Sequence, residues 1–253
     1  MGCDIHLHVE RRAESGWEHV ASPDNWSMLD LEIKSEIAAT WWRGRWFRDR
    51  NYELFAWLAD VRNYHQQIPL APERGLPEGV STETLSQYTL EVVDTEKEHE
   101  EDGEGRCLRS DAERWVAQES SVWLVPGKVI SGPDWHSASW FTVAELMGGL
   151  ETLVTKHGGA VSEETYLKWK ASGEAFPDSW CQTSSRPNIS ETAYLAGERP
   201  DEQRLSRHGG RFTIECEWSV SGRESFARFH KFLGEVSKLG APDDVRIVFW
   251  FDS

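Results

Sequence analysis

The sequence predicts an α+β fold in which an antiparallel sheet joins N- and C-terminal strands around a largely helical and looped middle. Polar and apolar residues alternate at both ends of the chain, in CDIHLHVERR and in RFTIECEWSV, and VRIVFWFDS closes it as a strongly apolar run. A period of two is the pattern of a half-buried strand. The middle instead carries apolar residues at helical spacing behind capping-box patterns. At 253 residues the chain is long enough to bury a substantial core, and residues 1–253 read as a single domain.

Taken in order, Cys3, Ile5, Leu7 and Val9 alternate with Asp4, His6, His8 and Glu10, which predicts a strand with one buried face. AESG then makes a turn and GWEHV resumes the pattern, so the segment reads as a β-hairpin. NYELFAWLADVRN spaces Tyr52, Phe55, Leu58, Ala59 and Arg62 as a helix. PLAPERGLPEGVS reads as an ordered surface loop, and EKEHEEDGEGR, residues 96–106, as a mobile acidic loop too charged and glycine-rich to pack. In FTVAELMGGLETLVTKHGG, Thr142 and Glu145 form a capping box. An apolar stripe of Val143, Leu146, Met147, Leu150, Leu153 and Val154 follows, and Gly158-Gly159 ends the helix, placing His157 in its last turn. RFTIECEWSV predicts a strand, Ser221 and Glu224 cap a helix whose stripe is Phe226, Phe229, Leu233 and Val236, and VRIVFWF predicts a central strand. The two ends of the chain are therefore expected to meet in one sheet.

Composition narrows the function. With 27 basic against 43 acidic residues the net charge is −16, which argues against gripping long DNA or RNA, since that affinity comes from neutralised phosphates. A small anionic ligand held by a local basic cluster remains compatible. Fourteen tryptophans exceed what a core of this size requires, and some are expected to line a groove or pocket. Four scattered cysteines, Cys3, Cys107, Cys181 and Cys216, fit a reduced cytoplasm. No leader or spanning segment is evident, so no membrane partner is expected. Oligomeric state is left open.

Three clusters carry candidate chemistry. His6 and His8 project from one strand face, an arrangement that can place two imidazoles on one ion, although the polar face of an ordinary amphipathic strand gives the same pattern. SGPDWHSASW sets Asp134, His136, Ser137 and Ser139 just before the capped helix, a setting that suits a metal or an anion, or simply a capping loop. WWRGRWFRDRNYELF interleaves Arg43, Arg45, Arg48 and Arg50 with aromatic residues, Tyr52 among them. Guanidinium groups pair with phosphate and rings stack on bases, while pairing with the abundant carboxylates is the structural alternative. No G-x-S-x-G, phosphate-loop or dinucleotide fingerprint is present.

The stretches MGCDIH, DRNYELFAWLADVRN, HSASWFTVAEL and VRIVFWFDS resemble a family of proteins from bacteriophages and actinobacteria. The likeness covers both ends and the middle, brings no activity with it, and implies a phage-encoded protein acting inside a bacterial cell. DIHLH alone is similar to the first metal motif of amidohydrolases and PHP-type phosphoesterases. Those enzymes continue with repeated strand and helix units, whereas this chain turns back as a hairpin, so their barrel and remaining ligands are not implied.

The leading expectation is a metal-dependent hydrolase, a phosphodiesterase on a nucleotide or similar small anion. In it His6, His8, Asp134 and His136 hold Zn²⁺ or Mn²⁺, and the arginines, Tyr52, Ser137 and Ser139 hold the anion. The alternatives are a non-catalytic protein that sequesters a nucleotide and an acidic protein-interaction module.

Overall fold

As predicted, an antiparallel sheet joins the two ends of the chain, through the apolar closing strand, while the alternating segment RFTIECEWSV belongs to a different sheet. The computed structural model describes residues 2–23, 46–47, 50–101, 105–182 and 184–252. Where the sequence pointed to one domain, the chain divides into two compact units, Met1–Gly148 with Arg228–Ser253, and Gly149–Ala227.

In the first unit, strands β1 (Ile5–Ala13) and β2 (Gly16–His19) form the predicted hairpin. Helices α1 (Tyr52–Ala59) and α2 (Thr82–Tyr88) follow, then β3 (Thr89–Val93), α3 (Glu96–Glu101), β4 (Arg106–Leu108), α4 (Arg109–Ala117), β5 (Trp123–Val125), β6 (Val129–Ser131) and β7 (His136–Thr142). Helix α5 (Val143–Thr152) leads into the second unit, which contains β8 (Val154–Ser162), α6 (Glu163–Ser172), β9 (Asn188–Ser190), α7 (Glu191–Leu195), α8 (Glu202–Arg207), β10 (Thr213–Ser221) and α9 (Gly222–Ser225). Helix α10 (Ala227–Val236) and β11 (Val245–Phe251) return to the first.

Strand β11 lies between β1 and β7 in the sheet ordered β2-β1-β11-β7. All seven of its residues are buried, which is why its sequence is nearly continuous apolar rather than alternating. On one face of this sheet Ile5, Leu7 and Val9 join Phe249 and Phe251. Phe55 of α1 packs edge-on against Phe251, and Phe141 stacks on Phe249. Phe229 and Phe232 of α10 close this core together with Phe47. The second sheet of the unit, ordered β4-β3-β6-β5, carries a small core of Val92, Cys107, Ala112 and Ile130. Part of the expected acidic loop is ordered, because Thr95 and Glu98 cap α3 reciprocally and Arg106 pairs with Glu91 at the start of β4.

Polar side chains cap the helix starts. Asn51 accepts the Leu54 N–H, Ser81 accepts the Thr84 N–H, and the capping box read from the sequence at Thr142 and Glu145 is formed. The helix opened by Thr142 stops at Thr152, five residues before its predicted last turn. Val154 to Ser162 pairs instead with β10 along its whole length. His157 therefore sits on a strand opposite Trp218, with its Nε2 2.9 Å from the Thr155 hydroxyl. Nine consecutive ladder partners in β10 outweigh the weak helical preference of a stretch that holds β-branched Val154 and Thr155 and two glycines.

The second unit has its own sheet, ordered β8-β10-β9, and its own core of Val161, Tyr166, Trp169, Ile214, Cys216, Trp218 and Val220. Glu215 and Glu217 occupy the exposed face of β10, as the alternation predicts.

Candidate functional site

The side-chain period of two puts Asp4, His6, His8 and Glu10 on the face of β1 opposite its apolar residues. Their partners on β11 are Trp250 across from His6, Val248 across from His8 and Arg246 across from Glu10. This face is covered by protein. Tyr88, at the end of α2, packs edge-on against Trp250 at 5.1 Å, and Ala138, Val248 and Trp135 belong to the same cluster.

At one end of the face Glu10 and Arg246 form a buried ion pair. The Glu10 carboxylate accepts from Arg246 Nε at 2.8 Å and from the Ser81 N–H at 2.9 Å, with Arg246 Nη2 2.7 Å away in the ion pair. Arg246 also donates to the Glu78 and Gly79 carbonyls and lies 4.0 Å from the centre of the Trp17 ring. Burial by itself would raise the Glu10 pKa, but the bonds from Ser81, Thr84 and Arg246 outweigh it and hold the carboxyl below its ordinary range. The pair pins Ser81, the N-cap of α2, to the sheet.

Further along the face lie the imidazoles. His8 stacks on Trp250 with ring centroids 4.6 Å apart and lies 5.8 Å from His19 of the hairpin. His6 is 4.6 Å from the Trp135 ring, and its Nε2 is 3.1 Å from Asp252 Oδ2. An ionised carboxylate only accepts, so Asp252 fixes the tautomer with the proton on Nε2. Asp252 Oδ1 in turn accepts the Asp4 N–H at 2.6 Å, and the Asp4 carboxylate is gripped by Nε and Nη2 of Arg50. The outcome is a connected line, Arg50 to Asp4 to Asp252 to His6, that orients one imidazole.

These groups border a cavity of about 640 Å³, in the size range of small-molecule sites. His6, His8 and His19 line it with Trp135 and Trp250, and α2 supplies Glu83, Ser86 and Gln87. Gly132 makes room for this wall, since a Cβ there would collide with the Trp135 indole. The Trp250 Nε1–H is buried with no acceptor in reach among the described residues.

The structure does not bring the four predicted metal ligands together. Trp140 lies across from Val248 and Ser139 across from Phe249, so continued alternation would carry Ala138 and then His136 to the His6 face. Between Ser139 and His136, however, β7 holds one residue more than β11, and His136 pairs with Phe251 instead of lying beyond Trp250. A one-residue bulge turns every later side chain to the other face. His136 accordingly stacks on Phe251, on the Ile5 side of the sheet, and Asp134 is exposed in the preceding turn. Among the described residues no three His, Cys, Asp or Glu side chains are grouped to hold a metal ion, and the predicted Zn²⁺ or Mn²⁺ set does not fit this arrangement.

Among the described residues the predicted anion-binding groups are dispersed as well. Arg43, Arg45 and Arg48 lie outside the described residues, and Arg50 is engaged with Asp4. The Tyr52 ring contacts Phe55 and Tyr64. Ser139 is fully buried and accepts the Arg74 N–H, while Ser137 lines a different cavity. The sequence reading missed His19, Trp135, Trp250 and Asp252. Two of them were legible: in VRIVFWFDS, Trp250 and Asp252 alternate with Phe249 and Phe251 and therefore share the face of His6. The buried thiols offer no nucleophile, because burial raises Cys3 and pushes Cys107 up to about 11 and Cys216 up to about 12.

No protein-family model, curated protein or solved structure matches the chain. No helix among the described residues is long and apolar enough to cross a membrane.

Proposed function

We propose that the cavity on the His6 face is the functional site and that it binds a small planar anion of the nucleotide class, held intact. The observation that carries this reading is the convergence of three imidazoles and three indoles, those of Trp46, Trp135 and Trp250, around one cavity of about 640 Å³. Imidazoles titrate near neutral pH and donate N–H bonds to anionic oxygen, while indole and imidazole planes stack on a heterocyclic base. Ser86 and Gln87 add neutral donors and acceptors at the wall. The resemblance of MGCDIH and the closing strand to phage and actinobacterial proteins supports a setting inside a bacterial cell.

A second reading is hydrolysis at the same place, favoured by one specific contact. A carboxylate that orients an imidazole, as Asp252 does His6, is the arrangement found behind metal ligands and general bases. The two are separated by incubating the protein with linear and cyclic nucleotides, denaturing it and analysing what is released. Intact ligand near one equivalent, with affinity reduced about tenfold in Trp135→Ala as expected for a lost stacking surface, supports the binder. Cleaved ligand supports the hydrolase. Absence of binding to every nucleotide at millimolar concentration overturns both.

A further inference from the structure

The bulge that removes His136 from the histidine cavity builds something else. Ser137 is the extra residue's position, and its φ of 51° lies in the left-handed region that favours glycine. Bulges re-aim side chains, and a non-glycine residue persists in this conformation only where its surroundings hold it there. Here Ser137 lines a cavity of about 700 Å³ walled by Ile68, Leu70 and Pro72, with Asp60 and Glu73 beside them. Its Oγ is 3.2 Å from His136 Nδ1, and the His136 ring is stacked on Phe251 at a centroid distance of 6.0 Å. With Nδ1 as the acceptor, the serine hydroxyl is the donor.

We propose that Ser137 and His136 are a nucleophile and base for acyl transfer, acting on esters of short apolar acids with uncharged or cationic alcohols. Hydroxyl and imidazole stand at the distance such a pair requires. The apolar wall from Ile68 to Pro72 accommodates the acyl chain, and the carboxylates of Asp60 and Glu73 disfavour anionic esters. The Ser137 oxygen bonds to the ester carbonyl carbon while its proton passes to His136 Nδ1. Collapse of the tetrahedral adduct breaks the bond to the alcohol, which leaves with that proton. Water then adds to the acyl-serine, His136 again takes and returns a proton, and the carboxylic acid is released. This activity is independent of the nucleotide site, whose lining shares no residue with this cavity.

The test is active-site labelling of the full chain with an uncharged fluorophosphonate, with p-nitrophenyl butyrate as substrate. The expected result is one adduct per chain, mapped to Ser137, together with p-nitrophenolate release. Ser137→Gly, which suits the backbone angle, removes both. His136→Gln slows labelling about 100-fold, the low end of what a general base contributes, with its near-ultraviolet circular dichroism unchanged. Exposed Ser15 serves as a reference inside the same molecule, so the test stands even where the His136 variant fails to fold: Ser137 must label at least about 100-fold faster. An adduct elsewhere, labelling of Ser137 no faster than of Ser15, or an unaltered rate in a folded His136→Gln overturns the proposal.

Discussion

Replacing Glu10 with glutamine tests the link between the buried ion pair and the cavity wall. The Glu10 side chain is fully buried and that of Arg246 is 3% exposed, so neither has water to fall back on. The substitution removes the charge that two guanidinium nitrogens approach, at 2.8 and 2.7 Å, and turns an amide with donors of its own toward Arg246. Breaking a buried pair by removing one partner costs about 3–5 kcal/mol, because the other charge stays buried. For a chain of this size that is a fall in Tm of roughly 6–20 °C, read by thermal unfolding and by urea denaturation. A second arm separates lost pairing from general disruption: Glu10→Gln with Arg246→Met leaves no uncompensated charge and recovers most of the loss. It stays short of the parent because the Glu78 and Gly79 carbonyls lose their donors. Since the Glu10 carboxylate also holds the Ser81 N–H at the start of α2, the single variant should weaken ligand binding through Ser86 and Gln87. A Glu10→Gln protein within about 1 kcal/mol of the parent, or a double variant as unstable as the two singles combined, would refute the reasoning.

Further outcomes follow from the same geometry. The Glu10 carboxyl is held below its unfolded value, so its contribution is complete above the unfolded carboxylate range and lost as pH falls through the lower folded value. Urea midpoints measured from about pH 7 to about pH 3 should therefore decline less steeply in Glu10→Gln than in the parent. Ser137→Gly relieves a left-handed backbone at φ 51° and should raise stability by about 1 kcal/mol in urea titrations, whatever it does to labelling. Gly159→Ala places a Cβ 2.7 Å from the Trp180 ring and 3.0 Å from the Cys181 carbonyl. It should destabilise the second unit by about 1–3 kcal/mol, seen as early loss of hydrogen-exchange protection in β8 and β10. Asp252→Ala removes the acceptor that fixes the His6 tautomer. In nucleotide titrations it should cost affinity while a control change at exposed Leu195 does not.

The elements that local chemistry dictates were readable from the sequence. Alternation in CDIHLHVERR and the apolar run VRIVFWF located β1 and β11, and the side-chain oxygens of Thr142 and Ser221 located helix starts, because capping is settled within one turn. That His6 and His8 share a face also follows from period two alone. Elsewhere the pattern was ambiguous. Residues 154–157 continue a helical stripe as well as they fit a strand, and pairing with β10, more than fifty positions later, decided between them. The candidate site divides the same way. Its imidazoles on β1 are a sequence fact, and their neighbours Trp250 and Asp252 were one alternation argument away. The fate of His136 was not readable, because one extra residue in a ladder reverses the facing of everything beyond it and nothing in SGPDWHSASW marks Ser137 as that residue. The sequence by itself determined which residues alternate, where helices begin and which side chains of one strand lie together. Only the tertiary structure decided which strands meet, in what register, and hence which histidines face the cavity. Those choices depend on long-range hydrogen-bond ladders and side-chain packing between segments up to 248 positions apart, as Asp4 and Asp252 are.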